Sequence, residues 1–290
     1  MYKIAILGCE NSHANSFLNY IIKDGLYPDI EVVGVFSEYE GAAEKLHEDF
    51  GVYVASSYDE FVGKIDGLII TARHGKDHYR FAKPYIKSGI PMFIDKPVAN
   101  DEAEALEFMK ELKANNVRIS GGSSCIHDEW VQQLKAEVAA GTHGETLGGF
   151  LRAPVSMVND YGNFLFYSQH LAQITQEIFG YYPKSVKVDA CGKVTNVLVR
   201  YDGFDVTMNY VDGNYKYYAA LSAKNGVVGG ALAMAKTVFQ TEFRHFYEIL
   251  IGEPQKQSYR EFMAPMALID AIRRAMESGK EEAVKEIEEI

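Results

Sequence analysis

The sequence predicts an α/β protein of two parts. Residues 1–120 read as a doubly wound parallel sheet, and residues 121–290 as an α+β domain with a mostly antiparallel, open sheet. Three observations support this. Short apolar runs alternate with amphipathic stretches through the first 120 residues, which implies helical crossovers between parallel strands. In the second part the turn pairs Asp202-Gly203, Asp212-Gly213 and Asn225-Gly226 separate β-rich runs, as hairpins do. A chain of 290 residues, 47% of them hydrophobic, makes about two domains at roughly 150 residues each.

The elements follow in order. Residues 3–7 (KIAIL) are a strand buried on both faces, after which Asn11 and Ser12 offer N-cap chemistry to a helix through residue 22. Residues 31–36 form a second, β-branched strand, followed by a helix over 41–50. A weak third strand at 52–55 and a short helical link at 58–63 come next. Strands at 67–71, 91–95 and 117–120 alternate with helices over 76–88 and 101–115. After Gly121-Gly122-Ser123 the pattern changes. A helix over 129–140, a strand over 147–157 and a helix over 167–179 precede strands at 185–191, 194–201, 205–211, 215–223 and 227–233. Helices over 237–251 and 258–278 close the domain, with room to pack back on the first. Residues 280–290 read as a charged helical extension.

Composition excludes several functions. With 29 basic and 40 acidic residues the net charge is -11, against the basic face that nucleic acid requires. Three cysteines (Cys9, Cys125, Cys191), an odd number, widely spaced and with no C-x-x-C pair, argue against a disulfide framework or structural zinc, and the expected compartment is the cytoplasm. No run approaches the ~20 apolar residues of a membrane span. None of the eight histidines shows ligand spacing with a plausible third ligand, so no metal is expected.

Candidate binding residues lie where strands end. Gly8 in the turn after the first strand, with Asn11 and Ser12 opening a helix, is the arrangement that holds a dinucleotide pyrophosphate. Glu10 and His13 stand where the second and third glycines of a G-x-G-x-x-G fingerprint would be. A side chain at position 10 must therefore turn aside for phosphate to approach. After the second strand, Ser37 leaves room for a ribose 2′-phosphate, while Glu38 offers the carboxylate that an NAD site uses, so NAD and NADP both stay open. Asp95-Lys96-Pro97 ends a later strand at the carboxyl edge of the sheet, where Lys96 is placed to donate to a substrate oxygen or to be an ordinary surface charge.

Together these segments resemble the glucose-fructose oxidoreductase / inositol dehydrogenase / MocA (Gfo/Idh/MocA) family. The likeness includes the 71–78 loop (TARHGKDH) with His78, the glycine-led helix GNFLFYSQHLAQITQEIFG with His170, and the late aromatic pair Phe243 and Phe246. It extends over nearly the whole chain. It implies a Rossmann domain binding NAD or NADP through Gly8, Asn11, Ser12, Ser37, Glu38, Thr71, Ala72, Arg73, His78, Asp95 and Lys96. It also implies hydride transfer at a hydroxyl-bearing carbon of a sugar, cyclitol or similar polyol, with Lys96 orienting the hydroxyl and His170 as acid/base. A homodimer or homotetramer through the C-terminal sheet is the implied assembly. The chain also departs from the family pattern. Phe166 and Gln173 stand where the family has aspartates four residues before and three after the histidine. Loss of those carboxylates, and of two glycines, keeps a second reading open: a non-catalytic nucleotide- or metabolite-sensing protein on the same fold.

Overall fold

The computed structural model describes residues 1–235, 237–287 and 290. The chain divides into two compact units, one of residues 1–122 with 239–259 and 290, the other of residues 123–238 with 260–289.

In the first unit, β1 (Tyr2–Leu7), β2 (Ile30–Phe36), β3 (Gly67–Ile70), β4 (Met92–Asp95) and β5 (Ile119–Gly122) form one parallel sheet in the order β2-β1-β3-β4-β5. The weak strand expected at 52–55 survives only as a bridge from Val54 to Val35. Its neighbours bond to Val35 through the Tyr53 carbonyl and the Ala55 amide. That bridge lies on the outer side of β2, so the edge follows the Rossmann order even though its outer strand is too short to count as one. The helical link expected at 58–63 is a run of turns. Helices α1 (Ser12–Leu18, continued by a π-helical turn Asn19–Lys23), α2 (Ala42–Phe50), α3 (Lys76–Ile86) and α4 (Glu102–Ala114) are the crossovers. β3 and β4 are buried at every residue, which is why their sequences GLII and MFID are continuous apolar runs rather than alternating ones. Beneath the sheet, Phe17 meets Phe93 edge-on at 5.2 Å and Phe243 at 5.0 Å, and Phe246 completes this fully buried cluster. The late aromatic pair thus belongs to the core of the nucleotide-type sheet.

The second unit opens with a 3-10 turn at Ser124–His127, then α5 (Glu129–Ala140), β6 (Thr146–Val155) and α6 (Phe164–Phe179). β7 (Ser185–Cys191), β8 (Val194–Arg200), β9 (Asp205–Asp212), β10 (Tyr218–Ala223) and β11 (Gly226–Ala231) follow. α7 (Thr237–Leu250), counted with the first unit from Phe239, precedes α8 (Tyr259–Ser278) and β12 (Glu282–Ala283). The seven-stranded sheet runs β11-β10-β6-β9-β8-β7-β12 and is antiparallel except for the parallel pair β6 and β9. Residues 280–290 were expected to be helical. Instead Glu282 and Ala283 pair with Val186 and Ser185 of β7, and residues 288 and 289 lie outside the described residues. An exposed edge strand offers unpaired backbone groups, and a short tail segment satisfies them more readily than an isolated charged helix forms. β8 and β9 alternate buried and half-buried residues, so one face of these strands is buried and the other half-buried. Among the described residues no helix is long and apolar enough to cross a membrane.

The aromatic cluster sets a stability expectation. Phe17→Ala should lower the unfolding free energy by about 3–5 kcal/mol in denaturant titration, because a fully buried ring is replaced by a cavity between strand and helix. A loss under about 1 kcal/mol would show that the site collapses around the gap.

Candidate functional site

Four strand ends build the polar edge of the first unit. After β1 the chain turns at Gly8 with φ +71°, and a Cβ there would lie 2.5 Å from Cα of Ala72. Only glycine permits this packing of the first turn against the loop after β3. Thr71 Oγ1 donates to the Gly8 carbonyl at 3.0 Å, and the Gly8 and Cys9 amides donate to the Phe36 carbonyl at the end of β2. Asn11 caps α1 through Oδ1, which accepts from the Ser12 amide at 2.8 Å, while its Nδ2 donates to Asp95 Oδ2 at 2.8 Å. Asp95 is fully buried, and its other oxygen accepts from the Lys96 amide at 2.6 Å. Lys96 is 5% exposed, so its side chain lies in the interior rather than at the surface.

His78 is also buried. Its Nε2 lies 2.8 Å from the Ala72 carbonyl, so that nitrogen carries the proton, and burial lowers its pKa below 6.5. Its visible task is to brace the 71–78 loop against which Gly8 packs. Arg73, half-buried, brings its backbone amide to Glu10 Oε1 at 2.9 Å, and Ser37 Oγ donates to Glu10 Oε2 at 2.8 Å. Glu38 is held by both terminal nitrogens of Arg80, at 2.8 and 2.7 Å, and Arg80 also reaches Asp77 at 2.7 Å. The Arg80 hydrogen bond lowers the Glu38 carboxyl pKa, and Arg80 is itself raised by that partner. Nothing in the spacing of Glu38 and Arg80 announces this pair, since 42 residues separate them.

The sequence marked His13 only as a missing glycine. In the structure its ring is 4% exposed, with Nδ1 3.2 Å from Asp95 Oδ2 and Nε2 3.2 Å from Glu242 Oε2 on α7. Burial works against a charged imidazole here, but the carboxylates of Asp95 and Glu242 outweigh it and raise the His13 pKa above 6.5. For Glu242 burial is the leading influence and lifts the carboxyl to about 7, with His13 opposing.

In the second unit, His170 lies on α6, which is buried from Ser168 through Phe179. Its Nδ1 is 2.7 Å from Ser123 Oγ and 3.3 Å from Cys125 Sγ. Ser123 is itself fixed, its amide donating to Gln173 Oε1 at 2.8 Å. Gln173, at the position of a family aspartate, therefore holds the residue that holds the histidine. Phe166, at the other aspartate position, packs against Tyr161 at 5.1 Å and Tyr167 at 5.0 Å, and the Tyr167 ring in turn stands 5.4 Å from that of His170. Tyr217 has its pKa raised, first by burial and then by Cys125 and Tyr167 beside it. Ser123 and Cys125 were legible only as small residues after a Gly-Gly pair. No spacing rule connects them to a histidine 45 or more residues away.

Comparison with known proteins now bears on this geometry. Residues 2–123 match the model of the oxidoreductase family with an NAD-binding Rossmann fold, GFO_IDH_MocA. That match covers the N-terminal part of the chain and less than half of its length. Among curated proteins none matches the chain significantly in sequence. Solved structures match over almost the whole length. The scyllo-inositol dehydrogenase of Lactobacillus casei, solved with NAD(H) and scyllo-inositol, is 15% identical with a TM-score of 0.84, covering 98% of this chain and 99% of that one. The myo-inositol 2-dehydrogenase of Lactobacillus plantarum gives the same identity, TM-score and coverage. The myo-inositol dehydrogenase of Corynebacterium glutamicum is 14% identical with a TM-score of 0.83, covering 99% of each chain. At these identities the likeness establishes the fold of both parts.

The buried His13 and Glu242 predict a pH dependence. Both pKa values are raised in the folded state, so folding takes up protons that the unfolded chain releases. This contribution is complete below the unfolded carboxyl value of 4.5 and is lost as pH rises through about 7 and above. Urea midpoints should therefore fall from pH 6 to pH 8.5, and Glu242→Gln should flatten that fall by about 1 kcal/mol or more. An unchanged slope in the variant would contradict the assignment.

Proposed function

We propose that this protein is a nicotinamide-dependent dehydrogenase that interconverts a secondary alcohol and a ketone on a sugar, cyclitol or similar polyol. The observation that carries the reading is the convergence of strand ends in the first unit, with Gly8, Ser37, Thr71 and Asp95 closing β1 to β4 at one edge of a Rossmann sheet. The residues present fit a dinucleotide. The carboxylate of Glu10, the one group whose bulk and charge would oppose a pyrophosphate at the first turn, is drawn onto Ser37 and Arg73. The turn itself keeps the glycine that close packing demands.

When bound, the nicotinamide ring supplies the hydride acceptor or donor. The chain's own groups manage binding and the proton. Gly8, Asn11, Ser12, Thr71, Ala72, Arg73, His78 and Asp95 form or brace the cofactor edge, and Lys96 follows directly on Asp95. Lys96, buried, orients the substrate hydroxyl by donating to its oxygen and favours the alkoxide character that develops as hydride leaves. His170 takes the hydroxyl proton during oxidation and returns it during reduction, since imidazole titrates where such exchange is easy. Ser123 and Cys125 at Nδ1 hold the ring in place. A carboxylate partner would stabilise the imidazolium more strongly than a hydroxyl and a thiol do. That difference favours the rival reading, a sensor that binds nucleotide without turnover.

Two outcomes are expected. Lys96→Ala and His170→Asn each lower kcat/KM for polyol oxidation by about a hundred- to ten-thousand-fold, while NADH binding, followed by nicotinamide fluorescence, stays measurable. Binding with no turnover of any polyol by the wild-type protein would favour the sensor. The half-exposed face of the second sheet, with Leu147, Phe150, Tyr218 and Val227 outward, supports assembly into a dimer or tetramer. Light scattering should give a multiple of 32.5 kDa, and Phe150→Lys should shift it toward that single-chain mass.

A further inference from the structure

We infer that Glu10, standing where the fingerprint has its second glycine, is the residue that reads the adenosine ribose and makes the site selective for NAD over NADP. The inference rests on the dehydrogenase reading above. An NAD site needs a carboxylate at the end of β2 to accept from the ribose 2′-hydroxyl. In sequence that position holds Ser37, which is no carboxylate, with Glu38 next, whose charge is paired with the Arg80 guanidinium. The Ser37 hydroxyl is spent twice, donating to Glu10 Oε2 at 2.8 Å and accepting from the Tyr39 amide at 3.1 Å. Glu38 is clamped by both terminal nitrogens of Arg80, its carboxylate half-exposed and directed at that guanidinium.

The bond from Ser37 places the Glu10 carboxylate at the end of β2, and the Arg73 amide at 2.9 Å fixes it from the opposite loop. Glu10 thus reaches from the first turn to the end of the second strand. A carboxylate accepts about four hydrogen bonds, two at each oxygen. With one donor at each oxygen here, both retain capacity for a ribose diol. A 2′-phosphate has the wrong chemistry for this position: it offers no donor to the carboxylate and sets two anions side by side. Arg80 does not relieve that conflict, because Glu38 and Asp77 both occupy it.

Equilibrium titration with NADH and with NADPH, on wild type, Glu10→Gln, Glu10→Gly and Glu38→Gln, tests this, with circular dichroism confirming that each variant is folded. Wild type should bind NADH at least about tenfold more tightly than NADPH, and Glu10→Gln should cut that ratio about tenfold or more, chiefly by weakening NADH. Glu38→Gln should change NADH binding less than about threefold. The inference is overturned if Glu10→Gln leaves the ratio unchanged, if Glu10→Gly tightens both dinucleotides equally, as removal of an obstruction would, or if Glu38→Gln carries the loss. Failure of wild type to bind either dinucleotide would overturn the dehydrogenase reading as well, so the two failures are distinct.

Discussion

The carboxylate of Asp95, wholly out of solvent at the end of β4, organises the polar edge of the first unit. It accepts from the side-chain amide of Asn11 and the backbone amide of Lys96, and the His13 ring stands 3.2 Å away as an ion-pair partner. A buried carboxylate without such partners would cost several kcal/mol, so each of these partners is under energetic obligation to stay. Asn11 fixes the start of α1, the Lys96 amide fixes the backbone from which a candidate catalytic ammonium extends, and His13 carries the link on to Glu242. The position of the first turn, and of Glu10 within it, follows from this one buried charge and its three neighbours.

The departures from a standard fingerprint then have a physical meaning. A glycine at position 13 lets helix and strand pack closely. Here a histidine fills the space and sets its two nitrogens each 3.2 Å from a carboxylate contributed by β4 or α7, with Phe17 and Phe239 rings at 5.8 and 4.5 Å. A glycine at position 10 gives room for phosphate. Here a glutamate leaves the turn for the end of β2. Both substitutions replace an absence of side chain with a side chain committed elsewhere. In the second unit Ser123, braced by Gln173, stands beside a nitrogen of His170.

Much of the fold was legible because its strands are buried on both faces, so that residues 3–7, 67–71 and 91–95 announce themselves as unbroken apolar runs. The segment at 52–55 has the same composition on a smaller scale and yields a single bridge, since a strand of that length at a sheet edge gains little from pairing. The tail misled for the opposite reason: its charge pattern favours a helix, and an unsatisfied edge of β7 overrides it. The parallel pairing of β6 with β9 joins strands about 60 residues apart and leaves no local trace. The site shows the same division. Gly8, Asn11 and Asp95 could be named from strand ends and capping chemistry. The partners that decide their chemistry are contacts across long stretches of chain: Glu242 for His13, Arg80 for Glu38, and Ser123 for His170. Periodicity does not encode such pairs.

Hydride transfer itself is tested most directly by following the label. The protein is incubated with NADH deuterated at the transferable C4 position and a panel of keto-polyols and ketoses, and the products are analysed by mass spectrometry. The account predicts one deuterium on a carbinol carbon of at least one product, with none when His170→Asn replaces the wild-type chain. Keto substrates recovered unreduced and without deuterium throughout, from a protein that demonstrably holds the dinucleotide, would contradict it.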